Sequence, residues 1–118
     1  MITNFKLFEN NENKIDTGYY VLINYNPSYH DQTSKKKFDD YFSKNIGNVM
    51  IVMLDTSMRN NNYHYTVQFH NIPDEIMHIF QYDETNGYHI NVWENNILYY
   101  GKTLNEIKMK LSAKKFNI

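Results

Sequence analysis

The sequence predicts a mainly β domain with short helices, built on one small curled sheet. Three observations predict it. Four β-rich runs follow one another in order: GYYVLINY from Gly18, IGNVMIVML from Ile46, NYHYTVQFHNIP from Asn62 and YHINVWENNILYY from Tyr88. Asn, Gly, Pro or Asp bounds each run, and these are the residues turns prefer. The chain of 118 residues is 42% hydrophobic, with eleven Tyr and seven Phe beside one Trp, enough for one core in a domain that buries roughly two thirds of its unfolded surface. A two-layer α+β sandwich is the alternative, because helical segments interrupt the strands.

Each element has its own reason. Residues 1–16 read as an N-terminal arm, a short apolar stretch at Phe5, Leu7 and Phe8 running into polar ENNENK. From Gly18 a strand carries apolar groups on both faces, which predicts a central position; Asn26 and Pro27 end it. Ser34 to Lys44 then has helical spacing, with Phe38, Tyr41 and Phe42 on one stripe. The near-continuous apolar run from Val49 to Leu54 predicts a strand buried on both sides. In the next strand Tyr63, Tyr65, Val67 and Phe69 alternate with His64, Thr66, Gln68 and His70, one face for the core and one for water.

Pro73, Asp74 and Glu75 open a helical turn or two, since proline fits a first turn and acids favour the positive end of the helix dipole. Its apolar stripe is Ile76, Ile79 and Phe80. Asn86 and Gly87 mark a turn, after which Tyr88, Ile90 and Val92 oppose His89, Asn91 and Trp93. Glu94, Asn95 and Asn96 break that strand from a fifth, Ile97 to Tyr100. Thr103 with Glu106 forms a capping box for a last helix carrying Leu104, Ile107 and Leu111.

This layout resembles an SH3-like small barrel of the KOW or Tudor kind. There a strand like GYYVLINY leads into a long loop, three strands meander, and a one-turn break like ENN separates the last two. With FKLFE, NIGNVMIV, YTVQFHNIP, WENNILYYGKTLNEI and the terminal AKKFNI, the chain also looks like small uncharacterised tailed-phage proteins. The resemblance implies an SH3-like small β-barrel with helical loop insertions and a C-terminal helix, in which residues 17–118 form a single domain. Leu7-Phe8-Glu9 is similar to the leader sequence that the prohead protease of some large tailed phages cleaves, which would imply a packaged virion protein.

Composition narrows the function. Twelve basic and thirteen acidic side chains leave a net charge of −1, so no whole-molecule field draws nucleic acid or anionic lipid. Every cation but Arg59 is Lys, which disfavours bidentate contacts to phosphate and guanine. The triple lysine Lys35, Lys36 and Lys37 is followed at once by Asp39 and Asp40, and reads as a solvated helix start. Cysteine is absent, which removes disulfide and thiolate chemistry. No run approaches eighteen apolar residues and no secretory core opens the chain, so a protein of the host cytoplasm, or of the virion, is expected, with no membrane partner.

No phosphate loop, serine elbow or motif-spaced carboxylate pair is present, and Asp55, Asp74, Glu75 and Glu94 have strand-end or helix-start explanations. The expectation is no enzyme, no cofactor and no metal. His64 and His70 lie about 20 Å apart along one strand, so at most one of them could join His89, and solvated histidines explain all three. The aromatic excess is the functional lead. Tyr63, Tyr65 and Tyr88 are assigned to the core, whereas Tyr25, Tyr29, Tyr82 and Trp93 fall in loops or on polar faces, where exposed aromatics anchor partners. The expected role is a non-catalytic phage-like accessory protein that binds another protein, as a virion component or an inhibitor of a host factor. Nucleic-acid binding on the barrel surface is one alternative and an enzyme of unknown class another, and strand edges leave self-association open.

Overall fold

The computed structural model describes residues 14–25, 32–55 and 62–116. Six strands form one sheet in the order β4-β5-β3-β2-β1-β6, and every pairing in it is antiparallel. They are β1 (Tyr20–Ile23), β2 (Gly47–Asp55), β3 (Asn62–Gln68), β4 (Gln81–Asp83), β5 (Gly87–Trp93) and β6 (Ile97–Gly101). The helices are α1 (Gln32–Lys44) between β1 and β2 and α2 (Leu104–Phe116) after β6, with a two-turn 3₁₀ segment at Asp74–Ile79 and a single-turn one at Glu94–Asn96. The mainly β expectation therefore holds. The sheet, however, is open, with β4 and β6 as its two edges.

Strand β2 bends the sheet. Its start pairs with β1 at Tyr20↔Asn48 and Val21↔Gly47, while its whole length pairs with β3 across a register shift between Val49 and Ile51. An extra residue of this kind kinks a strand and increases its twist. The core sits on one side of the meander. Tyr65, Val67, Ile90 and Val92 alternate inward from β3 and β5, and α1 lays Phe38, Tyr41 and Phe42 over them. Phe69 and Phe80 complete the cluster, with Phe42–Phe69 ring centroids 5.3 Å apart in an edge-on arrangement, the geometry aromatic quadrupoles favour. Ile15, at the end of the expected arm, is buried in the same core.

Side-chain caps set several boundaries. The amide of Glu106 donates to Thr103 Oγ1 at 3.1 Å and that of Lys102 to Glu106 Oε2 at 3.1 Å, closing the N-terminus of α2. Of the three apolar residues expected to hold α2, only Ile107 is buried; Leu104 is exposed and Leu111 half-buried. Lys110 adds to the anchorage by donating to the Tyr100 carbonyl at 2.5 Å and lying 4.7 Å from the ring centre.

The central correction concerns β2. It was expected to be buried on both sides from Val49 to Leu54, but Ile51, Met53 and Leu54 are exposed. Strand β1 spans only the first residues of β2, and α1 and the Asp74–Ile79 segment pack on the opposite side of the sheet, so among the described residues no element covers Ile51 and Met53 on the outer face; Leu54, opposite Tyr63, is exposed at the far end of the strand on the other face.

Candidate functional site

Alternation along paired strands places side chains on the two faces of the sheet. Inward, β3 and β5 send the buried residues named above. Outward, the register aligns Met53 of β2 with His64 of β3 and Trp93 of β5, and beside them Ile51 with Thr66 and Asn91. Met53 is 51% exposed, Trp93 43% and Ile51 40%. The His64 and Trp93 rings lie 5.1 Å apart, and the Thr66 hydroxyl donates to Asn91 Oδ1 at 2.8 Å. The result is an apolar row exposed at Met53, Trp93 and Ile51, beside a polar pair in which Thr66 is buried and Asn91 exposed.

A pocket of about 260 Å³ closes the end of this row, lined by Asn62, Trp93, Glu94 and Asn95. The Glu94–Asn96 turn that shapes it is held from both sides. The Trp93 amide donates to Asn96 Oδ1 at 3.1 Å, Asn96 Nδ2 donates to the Asn24 carbonyl at 3.0 Å, and the Asn24 amide donates to the Asn96 carbonyl at 2.8 Å. Trp93 therefore stands on an anchored backbone. A larger groove of about 460 Å³ lies elsewhere, where Leu22, Ile23, Phe42, Leu98, Tyr99 and Leu111 meet.

Of the four aromatic residues singled out in the sequence, the three that are described, Tyr25, Tyr82 and Trp93, are not gathered in one place. Trp93 projects from the outer face. Tyr82 is 63% exposed but stands in β4 rather than a loop, paired with Tyr88 at a ring separation of 4.8 Å. Tyr88 shares the parity of Ile90 and Val92, so this pair lies on the opposite side of β5 from Trp93. Tyr88, expected in the core, is exposed. Tyr25 is half-buried against the core, edge-on to Phe42 at 5.8 Å, and Tyr29 lies outside the described residues. Sequence reading missed Met53 and Ile51, because an apolar strand residue carries no sign of whether a second layer covers it.

His89 is buried, its Nδ1 lying 2.9 Å from the Gly87 carbonyl and its Nε2 3.7 Å from Asp83 Oδ2. Hydrogen bonds from the backbone of Asn86 hold the Asp83 carboxyl below its usual range. Burial pushes the Tyr65 hydroxyl well up, with Glu94 adding to the shift, and pushes Tyr41 up to about 12. All three shifts move away from neutrality, whereas a general acid or base works best with its pKa near the operating pH. Among the described residues no three His, Asp or Glu side chains gather as metal ligands, and no helix is long and apolar enough to cross a membrane.

The charges are segregated along the chain. Residues 45–101 carry six acids, Asp55, Asp74, Glu75, Asp83, Glu84 and Glu94, against the single cation Arg59. Residues 102–118 carry five lysines against one acid, Glu106. The near-neutral total thus divides into an acidic sheet and a basic terminal helix. Comparisons of the chain with protein-family models, with curated proteins and with solved structures find no match, so the site is read from its own geometry.

Proposed function

We propose that this chain is a non-catalytic protein-interaction module of SH3-like, small-barrel design, and that it recognises its partner with the outer face of β2, β3 and β5 around Trp93. The observation that carries this reading is the cross-strand row Met53–His64–Trp93, which leaves a Trp and a Met exposed on one face of the sheet on either side of His64. Exposed aromatic anchors on a preorganised surface are what partner recognition requires. The design is supported by the strand order, by the bend in β2 that lets it pair with β1 at one end and β3 throughout, and by the one-turn break at Glu94–Asn96 between β5 and β6. The likeness to tailed-phage proteins supports a virion component or an inhibitor of a host factor as the setting.

The test is a pull-down from a nuclease-treated bacterial lysate at high salt, comparing the tagged chain with Trp93→Ala and read by mass spectrometry. The expected result is a protein captured by the parent chain and lost with the variant, a weakening of about 2 kcal/mol or more, with the far-ultraviolet spectrum unchanged. Equal capture by both chains would overturn the assignment. Capture that requires intact nucleic acid would replace it with the nucleic-acid reading, whose phosphate contacts weaken steeply with salt.

A further inference from the structure

The outer face has a charge sign as well as an apolar row. Asp55 shares the parity of Ile51 and Met53 on β2, Glu94 lines the pocket beside Trp93, and Asp83 meets His89 at the other end. No Lys or Arg occurs in β2, β3, β4, β5 or the Glu94–Asn96 turn, and Arg59 lies outside the described residues. The lysines of the described residues belong to Lys14, α1, Lys102 and α2. Carboxylates thus rim an apolar centre that contains an indole, the ring that best attracts a cation to its face.

We infer that the outer face of β2, β3 and β5 binds a cationic protein segment, one that places an apolar side chain on Met53 and Trp93 and Lys or Arg side chains against Glu94 and the neighbouring carboxylates. This rests on the interaction reading above and names the partner's chemistry. Complementary charge steers the encounter and excludes acidic partners, which like-charge contact penalises. An aliphatic residue between cations fits the row, because its apolar part covers Ile51 and Met53 while its flanking charges reach the rim.

The full chain, labelled with ¹⁵N, is titrated with a short amphipathic Lys/Leu peptide and with a Glu/Leu peptide of the same length; Trp93, the single Trp, gives a second readout by fluorescence. The Lys/Leu peptide is expected to shift the resonances of Ile51, Met53, His64, Thr66 and Trp93, and to bind at least about tenfold more tightly than the Glu/Leu peptide. Glu94→Lys should weaken it about tenfold, and Asn91→Glu, which adds a carboxylate to the same face, should tighten it severalfold.

Equal binding of both peptides at this face would overturn the charge inference and leave the interaction reading intact. Shifts confined to α1 or the Asp74–Ile79 turn would overturn it by placing the cation site elsewhere. Concentration-dependent self-association abolished by Met53→Asp would assign the face to a second copy, and the same shifts produced by a mixed-sequence oligonucleotide would assign it to nucleic acid; either result overturns the proposal. No binding of either peptide, with capture from lysate unchanged by Met53→Asp, would end both readings.

Discussion

Gly47 occupies a position where a side chain has no room. A Cβ there would meet Phe69 Cζ at 2.7 Å and Val67 Cγ1 closer still, so β2 enters the sheet against two fully packed core residues. Overpacking at such a point forces the backbone or neighbouring rotamers to shift; Gly47→Ala is expected to destabilise the fold by about 1–3 kcal/mol, read from the midpoint of urea unfolding. Tyr41 works in the opposite sense, burying its ring while its hydroxyl donates to the His70 carbonyl at 2.5 Å. Burial raises its pKa from 10.0 to about 12, so the folded state holds that proton more tightly than the unfolded chain does. The associated stability is complete below pH 10 and is lost as pH rises toward 12. Alkaline unfolding followed by circular dichroism should show a shallower fall in that window for Tyr41→Phe than for the parent.

Among the elements, the turn between β5 and β6 has the most leverage for its size. Asn96 accepts from the Trp93 amide and donates to the Asn24 carbonyl, so one side chain fixes the turn that carries Trp93 and ties it to the end of β1. Asn96→Ala removes both bonds, and a cost of about 1–2 kcal/mol follows from two partly exposed hydrogen bonds. Amide exchange should quicken first in β6 and at the end of β1, with β3 still protected; uniform quickening would mean that the turn is not a local unit. The β4–β5 hairpin is held differently. The Asn86 amide donates to Asp83 Oδ1 at 2.6 Å, Gln68 Nε2 donates to the Asn86 carbonyl at 2.9 Å, and Gly87 takes a φ of 63° that favours glycine.

For the molecule as a whole, cooperativity depends on α1 docking to the inner side of the sheet. Phe42 is its centre, with ring contacts to Tyr25, Tyr41, Phe69 and Phe80 between 5.3 and 6.1 Å. Phe42→Ala should cost about 3–5 kcal/mol, a large part of the 5–15 kcal/mol a typical domain possesses. Fluorescence of Trp93 and far-ultraviolet circular dichroism should lose signal together in urea, because sheet and helix share this cluster; separate transitions would mean two units. The helix covers one side of the meander only. The other side leaves Ile51, Met53 and Trp93 exposed, and the recognition surface proposed above lies there.

Much of this was legible in the residues. The stripe Phe38, Tyr41 and Phe42, the alternation of β3 and β5, the ENN break and the Thr103 cap all come from short-range periodicity and local hydrogen bonding, which neighbouring residues decide between themselves. Strand β4 was not legible, because three residues are too few to show a period. Burial of β2 was not legible either: Ile51, Met53 and Leu54 read as core, but among the described residues nothing covers Ile51 and Met53 on the outer face, and Leu54 is exposed at the end of the strand. By itself the sequence determined the mainly β class, the positions of the long strands and helices, and the acidic and basic segments. The tertiary structure decided the open sheet, the separation of Tyr82 and Tyr88 from Trp93, and the meeting of Met53, His64 and Trp93, since these depend on register and on which face a distant element covers.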